Sequence, residues 1–198
     1  LAVLSAKLST VYLFEAPLSG ALTKASASAT LSSVSVSVSG NEPICEACLA
    51  NGFDNNNDGY DDLIVGTDHY NSTAKTDDGS AWVVRGKSSL PSGVLKTVAT
   101  AQVVGYANSD AAGRSVGAGY VDGDSYADLL IGAPGFDVSV YTNAGAGALV
   151  YGPATGTYAL TATSFPAGTG GFAGTTASGA MGTAGAIVGD LDGDLFDD

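Results

Sequence analysis

The sequence predicts an all-β protein assembled from a repeated four-stranded antiparallel unit. Three observations carry this expectation. The chain is rich in small, neutral residues, with 28 Gly among 198 residues and only 14% charged, against a usual ~25%. Three acidic windows of nine residues share one internal spacing. Strand-like segments recur with those windows at intervals of 66 and 70 residues.

Composition bounds the function. A hydrophobic share of 45% supports a folded core. The net charge of −13 repels nucleic-acid phosphates and anionic membrane surfaces, and it invites cations. No apolar run reaches the ~18 residues of a membrane helix, so no membrane insertion is expected in this segment. The first residue is Leu and the only Met is Met181. The sequence therefore reads as a piece of a longer protein.

Along the chain, STVYLFEAPLSG near the start is an apolar strand closed by a Gly/Pro turn. The segment SVSVSVS at 33–39 alternates strictly and reads as a strand, with Val34, Val36 and Val38 on one face. Cys45 and Cys48 form a C-x-x-C. No helix start is apparent there to lower a thiol pKa. No further Cys exists to build a zinc site. A structural disulfide and a pair of buried free thiols are the two readings.

The first acidic window, 54–62, reads DNNNDGYDD. Asp54, Asn56, Asp58 and Asp62 stand at positions 1, 3, 5 and 9, and the Tyr60 carbonyl stands at position 7. Oxygens at alternate positions of a tight loop converge on one hard cation, which is a Ca²⁺ pattern. Gly59 supplies the sharp turn. An EF-hand needs a Glu at position 12, and that position is Val65. DLIVGT follows instead, a buried strand ended by small residues.

His69, the only His, lies in a variable loop and has no identifiable catalytic partner in the sequence. Asn71-Ser72-Thr73 is a glycosylation sequon. Asp77-Asp78-Gly79 reads as a turn before the strand SAWVV, and Trp82 as strand packing. Residue type alone leaves paired-carboxylate glycoside chemistry open. The Asp residues, however, are already placed in cation loops.

The second window, 120–128, reads YVDGDSYAD. Asp122, Asp124, Asp128 and the Tyr126 carbonyl remain, but Tyr120 replaces the first Asp and Ser125 replaces the Gly. This site is expected to be weak or empty. DLLIGAP follows as the next buried strand. The third window, 190–198, reads DLDGDLFDD, with Asp190, Asp192, Asp194 and Asp198 as ligands and the Phe196 carbonyl at position 7. Leu195 sits in the Gly place, which strains the loop if φ is positive there. The three windows hold 12 of the 20 acids and no Lys or Arg. Filling all three with divalent ions would move the formal charge from −13 to −7.

The landmarks Leu13, Val83 and Leu149 are spaced 70 and 66, which supports the repeat independently of the acids. Each unit reads as strand, acidic loop, strand, longer loop, strand, turn, strand. That is a propeller blade, and blades close radially in sets of four to eight. The expectation is a partial β-propeller of four-stranded antiparallel blades with Ca-binding hairpin loops. Residues 1–41 hold the outer strands of a preceding blade, and 42–108 a blade with the first loop. Residues 109–175 hold a blade with the degenerate loop, and 176–198 the start of the next. Innermost strands are expected near 47–53, 114–120 and 183–189.

At these residues the sequence resembles the FG-GAP repeats of integrin α-subunit β-propellers and their bacterial relatives. Gly132-Ala133-Pro134 is the GAP element. AGRSVGAG at 112–119 is an FG-like opening with Ala112 for Phe, and Met181-Gly182 holds the FG place in the last repeat. The resemblance implies Ca²⁺ loops on one propeller face and ligand-binding loops on the other. It implies a secreted or cell-surface, non-catalytic module for cell adhesion or for recognition of a protein or carbohydrate ligand. Its alternative is an accessory domain of a secreted hydrolase, polysaccharide-degrading or phospholipase-type.

Overall fold

A computed structural model of the protein describes residues 1–5, 10–32, 48–72, 75–161 and 169–198. Among the described residues the chain is all-β apart from a one-turn helix, α1 (Leu95–Val98), and a 3₁₀ turn at Lys24–Ser26. The expected strand at 33–39 and Cys45 lie outside the described residues. Cys48 is buried and disulfide-bonded.

Three sheets form. The first joins β1 (Ala2–Ser5), β2 (Thr10–Leu13) and β3 (Ala29–Ser32) antiparallel. The second joins β4 (Leu49–Phe53), β5 (Asp62–Thr67), β6 (Ser80–Val84) and β8 (Ala101–Val104). The third joins β9 (Ser115–Gly119), β10 (Asp128–Ala133), β11 (Ala146–Val150) and β13 (Thr169–Ala173). Two short strands add in parallel. β7 (Gly93–Val94) pairs with β3, and β12 (Gly156–Ala159) pairs with β8. Each comes from the link between the third and fourth strands of one sheet and straps the outermost strand of the sheet before it. The sequence pattern carried no sign of these straps, because two to four residues show no periodicity.

The sheets stack face to face through two apolar layers. Val11, Leu13, Ala29 and Leu31 of the first sheet meet Leu63, Val65, Trp82 and Val84 of the second. The opposite face of the second, with Ile64, Ala81, Val83, Ala101 and Val103, meets Leu129, Ile131, Ala148 and Val150 of the third. β5 and β6 are therefore buried at every position. That explains why DLIVGT reads as a continuous apolar run rather than an alternating one. Trp82 packs as expected. Its ring meets Tyr70 edge-on at 5.3 Å, and its Nε1 donates to Thr67 Oγ1 at 2.9 Å.

Two glycines set how closely the sheets approach. A Cβ on Gly66 would stand 2.0 Å from the Gly113 carbonyl, and one on Gly132 would stand 2.0 Å from that of Gly182. Gly113 and Gly182 have φ of +85° and +86°, a region open to Gly without steric cost. The glycine ending each buried strand thus receives the positive-φ glycine that opens the next repeat.

β4 and β9 are the neighbouring edges of the second and third sheets, as expected of inner strands. Residues 183–189 correct that expectation, because they form no strand. In the other two copies the first strand is held by the strand after its acidic loop, whereas here Asp198 alone pairs back, with Val188 and Gly189. The segment still lies beside β9, with the Ile187 amide 3.2 Å from a Cβ position on Gly117.

Candidate metal centre

The first two acidic loops link β4 to β5 and β9 to β10, and the third, at 190–198, docks on the second. In the first loop Asp54 organises the backbone. Its Oδ1 accepts the amides of Asn56 at 3.3 Å and Asp58 at 3.2 Å, and its Oδ2 accepts that of Gly59 at 2.8 Å. Asp58 Oδ1 accepts the Tyr60 amide at 3.0 Å, and its Oδ2 accepts Asn56 Nδ2 at 2.8 Å. This leaves Asn56 Oδ1 buried with no hydrogen-bond partner. An orphaned oxygen between two carboxylate-bearing positions suits a hard cation.

Asp62 has a second role. Its carboxylate is buried and accepts the amides of Asn55 at 3.0 Å and Gly86 at 2.8 Å. It ties the loop to the exit of the third strand. The same brace recurs in the other windows. Asp128 accepts the amides of Val121 and Gly152, both at 2.9 Å, and Asp198 accepts that of Leu191 at 2.8 Å.

The third loop copies the first. Asp190 accepts the amides of Gly193, Asp194 and Leu195 at 2.7, 3.1 and 2.9 Å. Asp192 Oδ1 accepts the Asp194 amide, and Asp194 Oδ1 accepts that of Phe196. Carboxylate oxygens of Asp190, Asp192 and Asp194 lie within 4.8 Å of one another. Among the described residues only this loop draws three acidic groups so close. Asn at position 3 and the buried brace at position 9 explain why the first loop does not. Leu195 adopts φ of +78°, as Gly59 does at +85°.

The middle loop is built differently. Asp122 Oδ1 accepts the Asp124 amide and Asp124 Oδ1 that of Tyr126, at 3.1 and 2.7 Å. Tyr120 has no carboxylate to gather the later amides, and Ser125 does not take a positive φ. The middle loop thus lacks the first carboxylate and the left-handed residue at position 6, while Gly123 keeps positive φ at position 4.

Protonation follows this architecture. Burial opposes ionisation of Asp54, but the amides of Gly59, Asp58, Asn56 and Asn57 outweigh it and hold its carboxyl below the usual value. The Leu195 amide, with those of Gly193, Asp194 and Asp192, does the same for Asp190. Burial pushes the bracing Asp62 and Asp128 upward despite their amide donors, and the neighbouring loop carboxylates add to the push.

The loops also dock on one another. The amide of Ala127 donates to the Asp54 carbonyl, and that of Asp197 to the Tyr120 carbonyl, both at 3.0 Å. Each bond joins position 8 of one window to position 1 of the window before it. Fully buried Asn55 reinforces the first junction, giving Nδ2 to the Ala127 carbonyl at 2.6 Å and accepting the Ala154 amide at 2.8 Å.

The middle loop, its flanking strands β9 and β10, and β11 coincide with a known family. Residues 112–150 match the family model of the FG-GAP repeat. This stretch is similar to the FG-GAP repeat. No curated protein matches the chain. The repeat's opening dipeptide is Ala112-Gly113, and Ala112 bridges in parallel to Gly79 of the preceding sheet. Met181 bridges to Gly145 in the same way one repeat later.

At the other end of β9, Arg114 of the matched stretch joins a polar cluster that the sequence did not announce. Arg114 Nη1 lies 2.8 Å from Oδ2 of buried Asp68, whose Oδ1 has no hydrogen-bond partner. His69 Nδ1 lies 3.3 Å from Asp77 Oδ1. Asp78 is fully buried and accepts both the amide and the hydroxyl of Ser72, so it is more than a turn residue. Asn71 Oδ1 accepts the Asp77 amide at 2.6 Å, and Thr73 of the sequon lies outside the described residues. Asp110 is buried and accepts two amides, from Tyr106 and Ala107, at 2.7 Å each. Burial nevertheless pushes its carboxyl upward. Only the Arg114–Asp68 pair joins distant segments, 46 residues apart; the other contacts close within one loop, between residues three to eight apart. No helix of the described residues is long and apolar enough to cross a membrane.

Proposed function

We propose that this chain is a calcium-binding, non-catalytic module of a secreted or cell-surface β-propeller, serving adhesion or recognition of a protein or carbohydrate ligand. The three sheets are its blades, divided near residues 41, 108 and 175. The observation that carries the reading is the first loop, where buried Asn56 Oδ1 lacks a partner among Asp54 and Asp58. The FG-GAP match over 112–150 supports the architecture.

Asp54, Asn56, Asp58, the Tyr60 carbonyl and Asp62 would hold Ca²⁺ in the first loop. Asp190, Asp192, Asp194, the Phe196 carbonyl and Asp198 would hold it in the third. The middle loop offers Asp122, Asp124, the Tyr126 carbonyl and Asp128 and binds more weakly. When bound, Ca²⁺ supplies positive charge that neutralises the clustered carboxylates. The protein supplies pre-formed loops, since backbone amides already fix Asp54, Asp58, Asp190 and Asp194. An affinity of about 10⁻⁴–10⁻³ M suits an extracellular module.

Titration calorimetry with CaCl₂ tests this. Asp58→Ala should remove one equivalent of Ca²⁺ and leave the third loop intact. Unchanged stoichiometry in Asp58→Ala would overturn the site.

A further inference from the structure

The middle loop touches both neighbouring loops at or beside their candidate cation ligands. Toward the first loop, the Asp54 amide donates to the Tyr120 hydroxyl at 3.4 Å, and Asn57 Nδ2 donates to Ser125 Oγ at 3.2 Å. Toward the third, the Tyr120 amide donates to Asp197 Oδ2 at 2.8 Å, and the Asp197 amide donates to the Tyr120 carbonyl at 3.0 Å. The Phe196 ring lies over Gly123, where a Cβ would stand 2.4 Å from Phe196 Cε1. Phe196 carries the candidate ligand carbonyl of the third loop, and Asp197 stands between it and Asp198.

Two departures of the middle window fit each other. Position 8 is Asp61 in the first window and Asp197 in the third, but Ala127 in the second. Between the second and third loops, the position-8 carboxylate accepts the position-1 amide. Between the first and second, Ala127 has no carboxylate to offer, and the Tyr120 hydroxyl receives the Asp54 amide instead. The side chain that removes a ligand from the middle loop thus supplies a bond to the first.

We propose that the middle loop couples the two flanking cation sites through Tyr120, so that Ca²⁺ at one raises the affinity of the other. This rests on the calcium reading above. When the Asp54 carboxylate closes on an ion, the Asp54 backbone is fixed, and its amide and carbonyl are held by Tyr120 and Ala127. Tyr120 in turn holds the backbone and carboxylate of Asp197. The ordering of this shared chain falls on the first ion bound, so the second meets a loop already set. A coupling of roughly fivefold is expected, the low end of the usual range.

Charge alone predicts the opposite sign. The first window holds four acids. Loaded with Ca²⁺ it carries two net negative charges, whereas an empty loop without Asp58 carries three. By charge alone, emptying the first loop would therefore tighten binding at the third.

Nuclear magnetic resonance of the full chain, titrated with CaCl₂ in about 0.15 M KCl, tests the coupling site by site. The Gly59 amide donates to Asp54 and the Gly193 amide to Asp190, so each signal reports its own loop. Asp58→Ala should weaken binding read at Gly193 roughly fivefold, and Asp194→Ala should weaken that read at Gly59 by the same factor, as linkage requires. Adding Tyr120→Phe and Ser125→Ala, which leave the backbone bonds between the loops in place, should remove most of both effects. Unchanged or tighter binding at Gly193 in Asp58→Ala would overturn the coupling and leave the calcium reading standing. An undiminished effect in the Tyr120→Phe, Ser125→Ala background would overturn the route through Tyr120. If neither glycine of the wild-type chain shifts saturably with CaCl₂, the calcium reading falls and the coupling with it.

Discussion

Asn55 shows how much a single side chain carries. It occupies position 2 of the first window, where the cation pattern assigns no role. The structure buries it completely and gives it partners 72 and 99 residues away. Asn55→Ala would leave the Ala127 carbonyl and the Ala154 amide without their partner in a dry junction. The expected loss is about 2 kcal/mol or more, since an unsatisfied buried group costs ~1–3 kcal/mol. Urea denaturation should show a lower midpoint with an unchanged slope. A change of slope would instead point to the two sheets unfolding separately. The pattern marked Asp54, Asn56 and Asp58 because their spacing is local. It passed over Asn55 because its partners are not.

At the scale of the loop, the left-handed turn separates the three copies. Positions 4 and 6 take positive φ in the first loop, at Asn57 and Gly59, and in the third, at Gly193 and Leu195. In the middle loop only Gly123 does so. The sequence foresaw strain at Leu195, and its φ of +78° bears this out. A left-handed non-Gly residue costs roughly 1–2 kcal/mol. Leu195 is 87% exposed, so replacing it sacrifices no packing. Leu195→Gly should therefore stabilise the protein by about 0.5–1 kcal/mol after the entropy of the unfolded glycine is counted. A rise in melting temperature, with tighter Ca²⁺ binding at the third loop, checks this. A lower melting temperature would mean that Leu195 has an apolar partner in solution.

For the whole molecule, charge and apolar surface act together. Twelve of the 20 acids lie in three loops that hydrogen-bond to one another in series, in a chain with net charge −13. Self-repulsion there should lower the melting temperature in EDTA at low ionic strength. NaCl at 0.1 M should recover part of it, because the Debye length falls to about 10 Å. Millimolar CaCl₂ at matched ionic strength should recover more, because a coordinated ion stabilises by mass action, about 2.7 kcal/mol at 100-fold excess over Kd. Scanning calorimetry across the three conditions decides between screening and coordination. Equal recovery by both salts would leave screening as the sole effect.

The sequence by itself determined the all-β class, the repeat, the spacing of the three windows and the FG-GAP character of 112–150. These follow from local chemistry: small residues favour strands and turns, and a nine-residue loop writes its ligand spacing into adjacent positions. Only the tertiary structure decided the braces at Asp62 and Asp128, the link at Asn55 and the buried Asp68, Asp78 and Asp110. Only it revealed the parallel straps at Gly93 and Gly156 and the missing strand at 183–189. A strand exists when a neighbour takes its hydrogen bonds, and a buried polar group is tolerated when a partner satisfies it. For Asn55, Asp68 and the Gly86 and Gly152 ends of the braces the partners are 24 to 99 residues away, which no spacing within a window records; Asp78 and Asp110 are satisfied within their own loops, in turns that carry no periodic signal.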